Sequence, residues 1–243
     1  MHRASVVITM TNNGNNPELT QNVLDEYADK AAPEYSQHAS KFQNLERWTG
    51  DDPVMLVVDA AFSSTGLDYK EVVKPAAERF RKEFVESGDV SSLADLRSLK
   101  DNSAYTEKFG AGRPELVWKI ANGLLENEAA DMDDLSVLQS WAKNADPQDG
   151  DDPIRELDGI GVATFQYLRM IAGANTVKPD IQVERFVEEL DTAVPAFDFE
   201  TDSKVDVLES CRRLADNSEY SLIEIDQIAW WYGTDTGSLE EAH

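Results

Sequence analysis

Two neighbouring segments of this chain hold residue types at spacings that can do chemistry: Leu157-Asp-Gly-Ile-Gly-Val-Ala-Thr-Phe-Gln-Tyr-Leu168 and Lys178-Pro-Asp-Ile-Gln-Val-Glu-Arg-Phe186. Gly159 and Gly161, one residue apart, make a tight hairpin, and a helix starting near Thr164 points the free N–H groups of its first turn outward. Such amides bind a phosphate without any side-chain charge. Gly-x-Gly is equally the mark of an ordinary helix–helix turn. Between Gly159 and Asp180 there is room for one helix and a short loop, and Asp180 opens the next helix behind Pro179. A carboxylate is favoured there by the helix dipole and the free N–H groups, which fits a functional anion and fits a plain N-cap worth roughly 0.5–2 kcal/mol.

Together these segments resemble the helix-hairpin-helix DNA glycosylase superfamily, the group that includes endonuclease III and some alkyladenine glycosylases. The family pattern is an apolar-Pro-Gly-apolar-Gly hairpin, a helix, then an Asp followed by an apolar-x-Arg stretch. It is matched by Leu157 to Thr164 and by Asp180 to Arg185, with weaker similarity from Asp52 to Thr65, so that the resemblance covers about residues 48–233. It implies an all-α, two-lobed architecture acting on double-stranded DNA, with Asp180 as the catalytic carboxylate that supports departure of a base. It further implies that Gly159, Ile160, Gly161, Val162, Ala163 and Thr164 hold the DNA backbone, with a monovalent cation at the hairpin carbonyls, and that Lys178 and Arg185 approach phosphate.

Two departures from the pattern refine this expectation. Family members that also cleave the DNA backbone carry in the hairpin a Lys that forms a Schiff base with the sugar. Ala163 stands at that position, so the implied activity is hydrolysis of the N-glycosidic bond of a damaged or mismatched base without Lys-dependent lyase chemistry. Asp158 replaces the hairpin's Pro and adds negative charge near the expected phosphate. The cysteine cluster of some relatives is absent, and no iron–sulfur cluster is implied. Two other readings stand beside the enzyme: a non-enzymatic helix-hairpin-helix nucleic-acid-binding module, and an acidic helical protein-interaction scaffold, for which Asp158 is a natural residue.

The elements that position these residues read as helices. Val54, Val57, Val58, Ala61 and Phe62 share one helical face behind Pro53, and Leu116, Val117, Ile120, Ala121, Leu124 and Leu125 repeat the pattern behind Pro114. Further helices are marked by Phe165, Leu168, Ile171 and Ala172, by Val183, Phe186, Val187 and Leu190, and by Val207, Leu208, Cys211 and Leu214. Strand-length alternation is nearly missing, so the fold class is all-α. Residues 1–22 read as a polar N-terminal tail, loop-like from 11 to 22, with Met10 an alternative start; residues 23–243 read as the helical domain, its motif at 157–186. Breaks are expected at Ser87–Ser92, Gly110–Pro114 and Asp146–Pro153. The last invites a calcium reading, which fails because an EF-hand alignment on Gly150 puts Ala145 and Pro147 at its first and third positions. Trp48, Trp118, Trp141, Trp230, Trp231 and Tyr232 are candidates for a base platform, with core packing the plainer role.

Composition sets the environment. In 243 residues, 22 Lys and Arg face 47 Asp and Glu, a formal charge of −25. The acids are spread along the chain, which reads as the surface of a salt-adapted protein, since self-repulsion destabilises a compact state unless salt screens it, or more plainly as that of an acidic mesophilic one. A generally basic phosphate-binding surface is disfavoured, while a local neutral or basic site stays open. Within 155–186, however, Arg155, Arg169, Lys178 and Arg185 balance Glu156, Asp158, Asp180 and Glu184, and from Lys70 to Phe84 cations outnumber acids. One cysteine, Cys211, excludes an internal disulfide and a four-cysteine metal site, and three histidines dispersed in sequence, His2, His38 and His243, argue against a His-built metal site or a Ser-His-Asp triad. No metal is assigned. The apolar runs are too short for a membrane span or a signal peptide, so a cytoplasmic location is expected.

Overall fold

The computed structural model describes residues 16–31, 34–64, 66–109, 113–126 and 132–233, and among them the regular elements are all helical, with no strand. They run α1 Pro17–Lys30, α2 Tyr35–Gln43, α3 Pro53–Ser63, α4 Lys74–Phe80, α5 Leu93–Ser98, α6 Ser103–Phe109, α7 Arg113–Glu126, α8 Asp134–Asn144, α9 Val162–Ile171, α10 Ile181–Ala193, α11 Lys204–Asp216 and α12 Leu222–Gly233. A π-helical turn precedes α4 at Tyr69–Val73 and another follows it at Arg81–Val85, which makes 69–85 one continuous rod. The all-α class is as the apolar spacing predicts. None of these helices is long and apolar enough to cross a membrane.

Local starts follow from side chains that accept the orphan N–H groups of a first turn. Asp52 accepts from Val54 and Met55 ahead of Pro53, Asp133 from Ser136, Asp180 from Gln182 and Val183, and Ser203 from Asp206. Asn16 does the same for Leu19 with Pro17 next in the chain. Here the structure corrects the loop expected up to residue 22. The Asn-Pro start signal outweighs the polar composition, because Thr20, Leu24, Tyr27 and Ala28 give the helix a buried face. The expected breaks at 87–92 and 146–153 are turns and loop, and Met10, the stretch 110–112, His2 and His243 lie outside the described residues.

Burial divides into two apolar clusters. The larger is centred on α3 and gathers side chains from α2, the 69–85 rod and α5 to α9. Every residue from Val54 to Phe62 is buried, so α3 is enclosed on all sides rather than along the single face its spacing suggests. The second cluster joins α1 to α10, α11 and α12. The chain crosses from one to the other after α9, where Gly173 at φ +92° ends the helix, Gly173 N–H bonding Met170 and Ala174 N–H bonding Arg169. This pairing is the Schellman stop. It releases residues 174–180 across the seam between the clusters.

Candidate functional site

The hairpin is built by anchoring two isoleucines and leaving the glycines outside. Asp152 accepts from the N–H groups of Ile154 and Arg155 at 2.8 and 3.0 Å and starts a single helical turn, while Trp141 Nε1 donates to its other oxygen at 2.9 Å. Gly123 of α7 makes room for Ile154, whose Cδ1 lies 2.7 Å from where a Cβ would stand. Ile160 N–H closes the turn on Leu157 at 2.9 Å, with Gly159 at φ +94° and Ile160 buried. Gly161 is the N-cap of α9, extended and without a side chain to bond the first turn. The helix begins at Val162, two residues before the expected Thr164, because Gly161 can take the cap position. Asp158, Gly159 and Gly161 are exposed, Val162 and Ala163 half-buried, Thr164 buried. The acidic loop before the hairpin uses its carboxylates internally: Asp146 accepts from Gln148 N–H and Asp149 from Asp151 N–H, both at 3.0 Å.

Asp180 sits at the seam. Its Oδ1 accepts from the N–H groups of Gln182 and Val183 at 3.0 and 3.4 Å, and its Oδ2 lies 3.6 Å from Lys178 Nζ. That ammonium stands 4.6 Å from the centre of the Tyr167 ring on α9. Backbone geometry fixes the same stretch: Asp180 N–H bonds the Lys178 carbonyl at 2.7 Å across Pro179, and Lys178 N–H bonds Asp226 Oδ1 on α12 at 2.8 Å. Asp226 is buried, and desolvation, reinforced by the negative charge of Asp180, pushes its pKa up to about 7. Arg185 is exposed on α10 and makes no part of this arrangement.

Tyr167 leads from Asp180 to a group that local sequence patterns do not reveal. Its hydroxyl donates to Asp59 Oδ2 at 2.8 Å, Tyr69 donates to Asp59 Oδ1 at 3.0 Å, and Arg47 Nη1 reaches Asp59 Oδ2 at 3.2 Å. Arg47 Nη2 also donates to both tyrosine oxygens, and Trp48 Nε1 donates to that of Tyr69 at 2.8 Å. Asp59 is wholly buried. Burial opposes the charge on Arg47, yet Tyr167, Tyr69 and Asp59 outweigh it and hold the guanidinium ionised, while burial drives the Tyr167 hydroxyl well above its ordinary range. The members come from the loop after α2, from α3, from the 69–85 rod and from α9. Only Asp59, an acid inside a fully apolar helix, stands out in sequence as a signal.

Two cations of the 70–84 window are engaged in different places. Arg81 lies over Trp48, 5.0 Å from the ring, and donates to the Trp48 carbonyl at 3.1 Å, which brings it to the Asp59 group. Arg79 lies over Phe109 beside a cleft of about 410 Å³ lined by Phe62, Val72 and Lys108 among others. Of the aromatic candidates, Trp231 is buried and Trp141 packs edge-on against Phe165, which are core roles. Trp118 lies under Lys100 and Lys119. Among the described residues no group of His, Cys, Asp or Glu is arranged to hold a metal ion.

Comparison with curated proteins and with solved structures gives no match. A family model does match, over residues 26–234, a span that holds the hairpin, Asp180, Asp226 and the Asp59 group. The chain is thus a member of the family described as Domain of unknown function (DUF8548).

Proposed function

We propose that this chain is a helix-hairpin-helix DNA glycosylase that hydrolyses the N-glycosidic bond of a damaged or mismatched base, working in strong salt. The observation that carries the reading is the position of Asp180. A carboxylate sits where the chain crosses between two apolar clusters, one helix after a hairpin whose helix N-terminus is uncapped by any side chain. The amides of Val162, Ala163 and Thr164 would take a DNA phosphate, which a strongly acidic chain can do through neutral groups when salt screens long-range repulsion. A base turned out of the stack would then bring its sugar to Asp180, whose negative charge stabilises the positive charge that develops as the base leaves and helps to orient the attacking water. Lys178, held between Asp180 and Tyr167, would meet the sugar-phosphate. Ala163 offers no amine, so backbone cleavage through a Schiff base is not part of the reaction.

The resemblance also implies a monovalent cation. Among the described residues the carbonyls of Asp158, Gly159 and Ile160 accept no backbone hydrogen bond, and they would be the groups to hold such an ion. When bound, it would offset phosphate charge at the hairpin.

The test is a base-release screen over duplexes carrying uracil, alkylated, oxidised and mismatched bases, in molar KCl. Release by the wild-type chain that Asp180→Asn abolishes while keeping its helical content supports the enzyme; release that persists in Asp180→Asn removes Asp180 from the chemistry. One observation favours a second reading. Both oxygens of Asp180 already have partners, the α10 amides and Lys178, as in a structural cap. Duplex binding without release of any base supports that non-enzymatic module.

A further inference from the structure

The turn that carries Asp180 is held from one side only by local bonds. Across Pro179, Asp180 N–H and the Lys178 carbonyl close a three-residue turn at 2.7 Å. The outer bond of this turn is not local: Lys178 N–H is accepted at 2.8 Å by Asp226 Oδ1, from α12. Asp226 Oδ2 accepts from the Gln227 side-chain amide at 3.0 Å, and both residues are buried. An acid in such a place could be replaced by any neutral acceptor if holding the turn were its whole task. Its charge is costly there, because burial and the neighbouring Asp180 both oppose it.

We propose that Asp226 is a positioning residue for Asp180, pinning the Lys178–Pro179–Asp180 turn to α12 and setting the negative potential at Asp180 by holding or releasing a proton. The inference rests on the reading of Asp180 as the catalytic carboxylate. The groups that face Asp226 are Lys178 from the crossing loop, Asp180 from the start of α10 and Cys211 from α11, with Gln227 on its own helix. From α1 and α2, Tyr27 and His38 meet α12 at Tyr232 and Trp231, more than a turn further on. With the proton on, Asp226 is a neutral hydrogen-bond acceptor and Asp180 carries the only charge of the pair. With the proton off, two negative charges act on the same region, and a cation developing on a bound sugar is stabilised more strongly. Base release therefore rises as the pH passes about 7, the value to which burial and Asp180 bring Asp226.

The experiment uses the full chain, labelled at the Asp side-chain carboxyl carbons, in molar KCl, as wild type, Asp226→Asn, Asp226→Ala and Asp180→Asn. Carbon NMR is followed from pH 4 to 9, and amide exchange is measured at Lys178. Expected are an Asp226 signal with its midpoint near 7, a step in the Asp180 signal at the same pH, and loss of that step in Asp226→Asn. Lys178 exchange is expected to stay slow in Asp226→Asn, whose amide oxygen still accepts, and to quicken at least tenfold in Asp226→Ala. An Asp180 signal that ignores the Asp226 proton overturns the coupling, and unchanged Lys178 protection in Asp226→Ala overturns the pin. In single-turnover base release, the rise between pH 6 and 8 flattens in Asp226→Asn. Absence of release from every chain, wild type included, defeats the glycosylase reading while the NMR and exchange results still decide whether Asp226 positions Asp180.

Discussion

Asp180 divides its two oxygens between a helix cap and an ammonium, so its replacements separate the capping role from the proposed catalytic one. Asn caps as well as Asp, whereas Ala leaves the α10 amides unbonded and costs roughly 1 kcal/mol. Urea unfolding in molar KCl is thus expected to give Asp180→Asn the wild-type midpoint and Asp180→Ala a lower one, with base release lost in both. Asp226 predicts a pH dependence. Its pKa is raised in the fold to about 7, so between the ordinary carboxyl range and 7 the folded chain keeps a proton that the unfolded chain has lost. That contribution to stability is full below the ordinary carboxyl range and is lost as the pH rises from there through 7, a change of the order of 4 kcal/mol. Asp226→Asn, which stays neutral, is expected to melt close to wild type near pH 4 and clearly above it at pH 8. Asp180 was legible in the sequence because a helix start is a local signal. Asp226 was not, because its meaning depends on a bond to Lys178, many residues away in sequence and on a different element.

At the scale of the element, the hairpin and α3 respond differently to substitution. Gly159 is left-handed at φ +94°, and a Cβ there would meet Leu116 at 3.4 Å, while a Cβ at Gly161 has open space and an ordinary backbone. Gly159→Ala is expected to lower stability by about 1–2 kcal/mol, and Gly161→Ala to leave it nearly unchanged; chemical denaturation checks both. Two glycines with the same spacing thus have different reasons to be there, which the motif alone cannot say. The Asp59 group shows the complementary failure. Three donors converge on one buried carboxylate from the loop after α2, the 69–85 rod and α9, and no periodicity links residues so far apart. Removing Asp59 strands Arg47 and two tyrosine hydroxyls in the core, so Asp59→Ala is expected to cost about 3–5 kcal/mol, read as a large fall in melting temperature. The mistaken loop before residue 22 has a simpler origin: Asn16 and Pro17 announce a helix, but its apolar face is fixed only by contact with α12 and its neighbours.

For the whole molecule, 47 acids against 22 cations cannot be paired one to one, although several acids are spent inside the fold as caps and turn acceptors, among them Asp52, Asp133, Asp152 and Asp180. The remainder repel, and at about 1 M salt a screening length of roughly 3 Å removes most of that repulsion. Dialysis to low salt is accordingly expected to lower far-UV helicity, reversibly on return of KCl; unchanged helicity would show that the acidity serves another end. The second apolar cluster has a different kind of consequence. It unites α1, near the start of the chain, with α10 to α12, near its end, whereas the first cluster draws almost wholly on the residues between. During synthesis on a ribosome the first can therefore close while α1 still waits, its apolar stripe without a mate until α10 to α12 have emerged. Capture of α1 by α10 to α12 therefore comes after closure of the first cluster, and only then is the loop bearing Asp180 fastened on both sides.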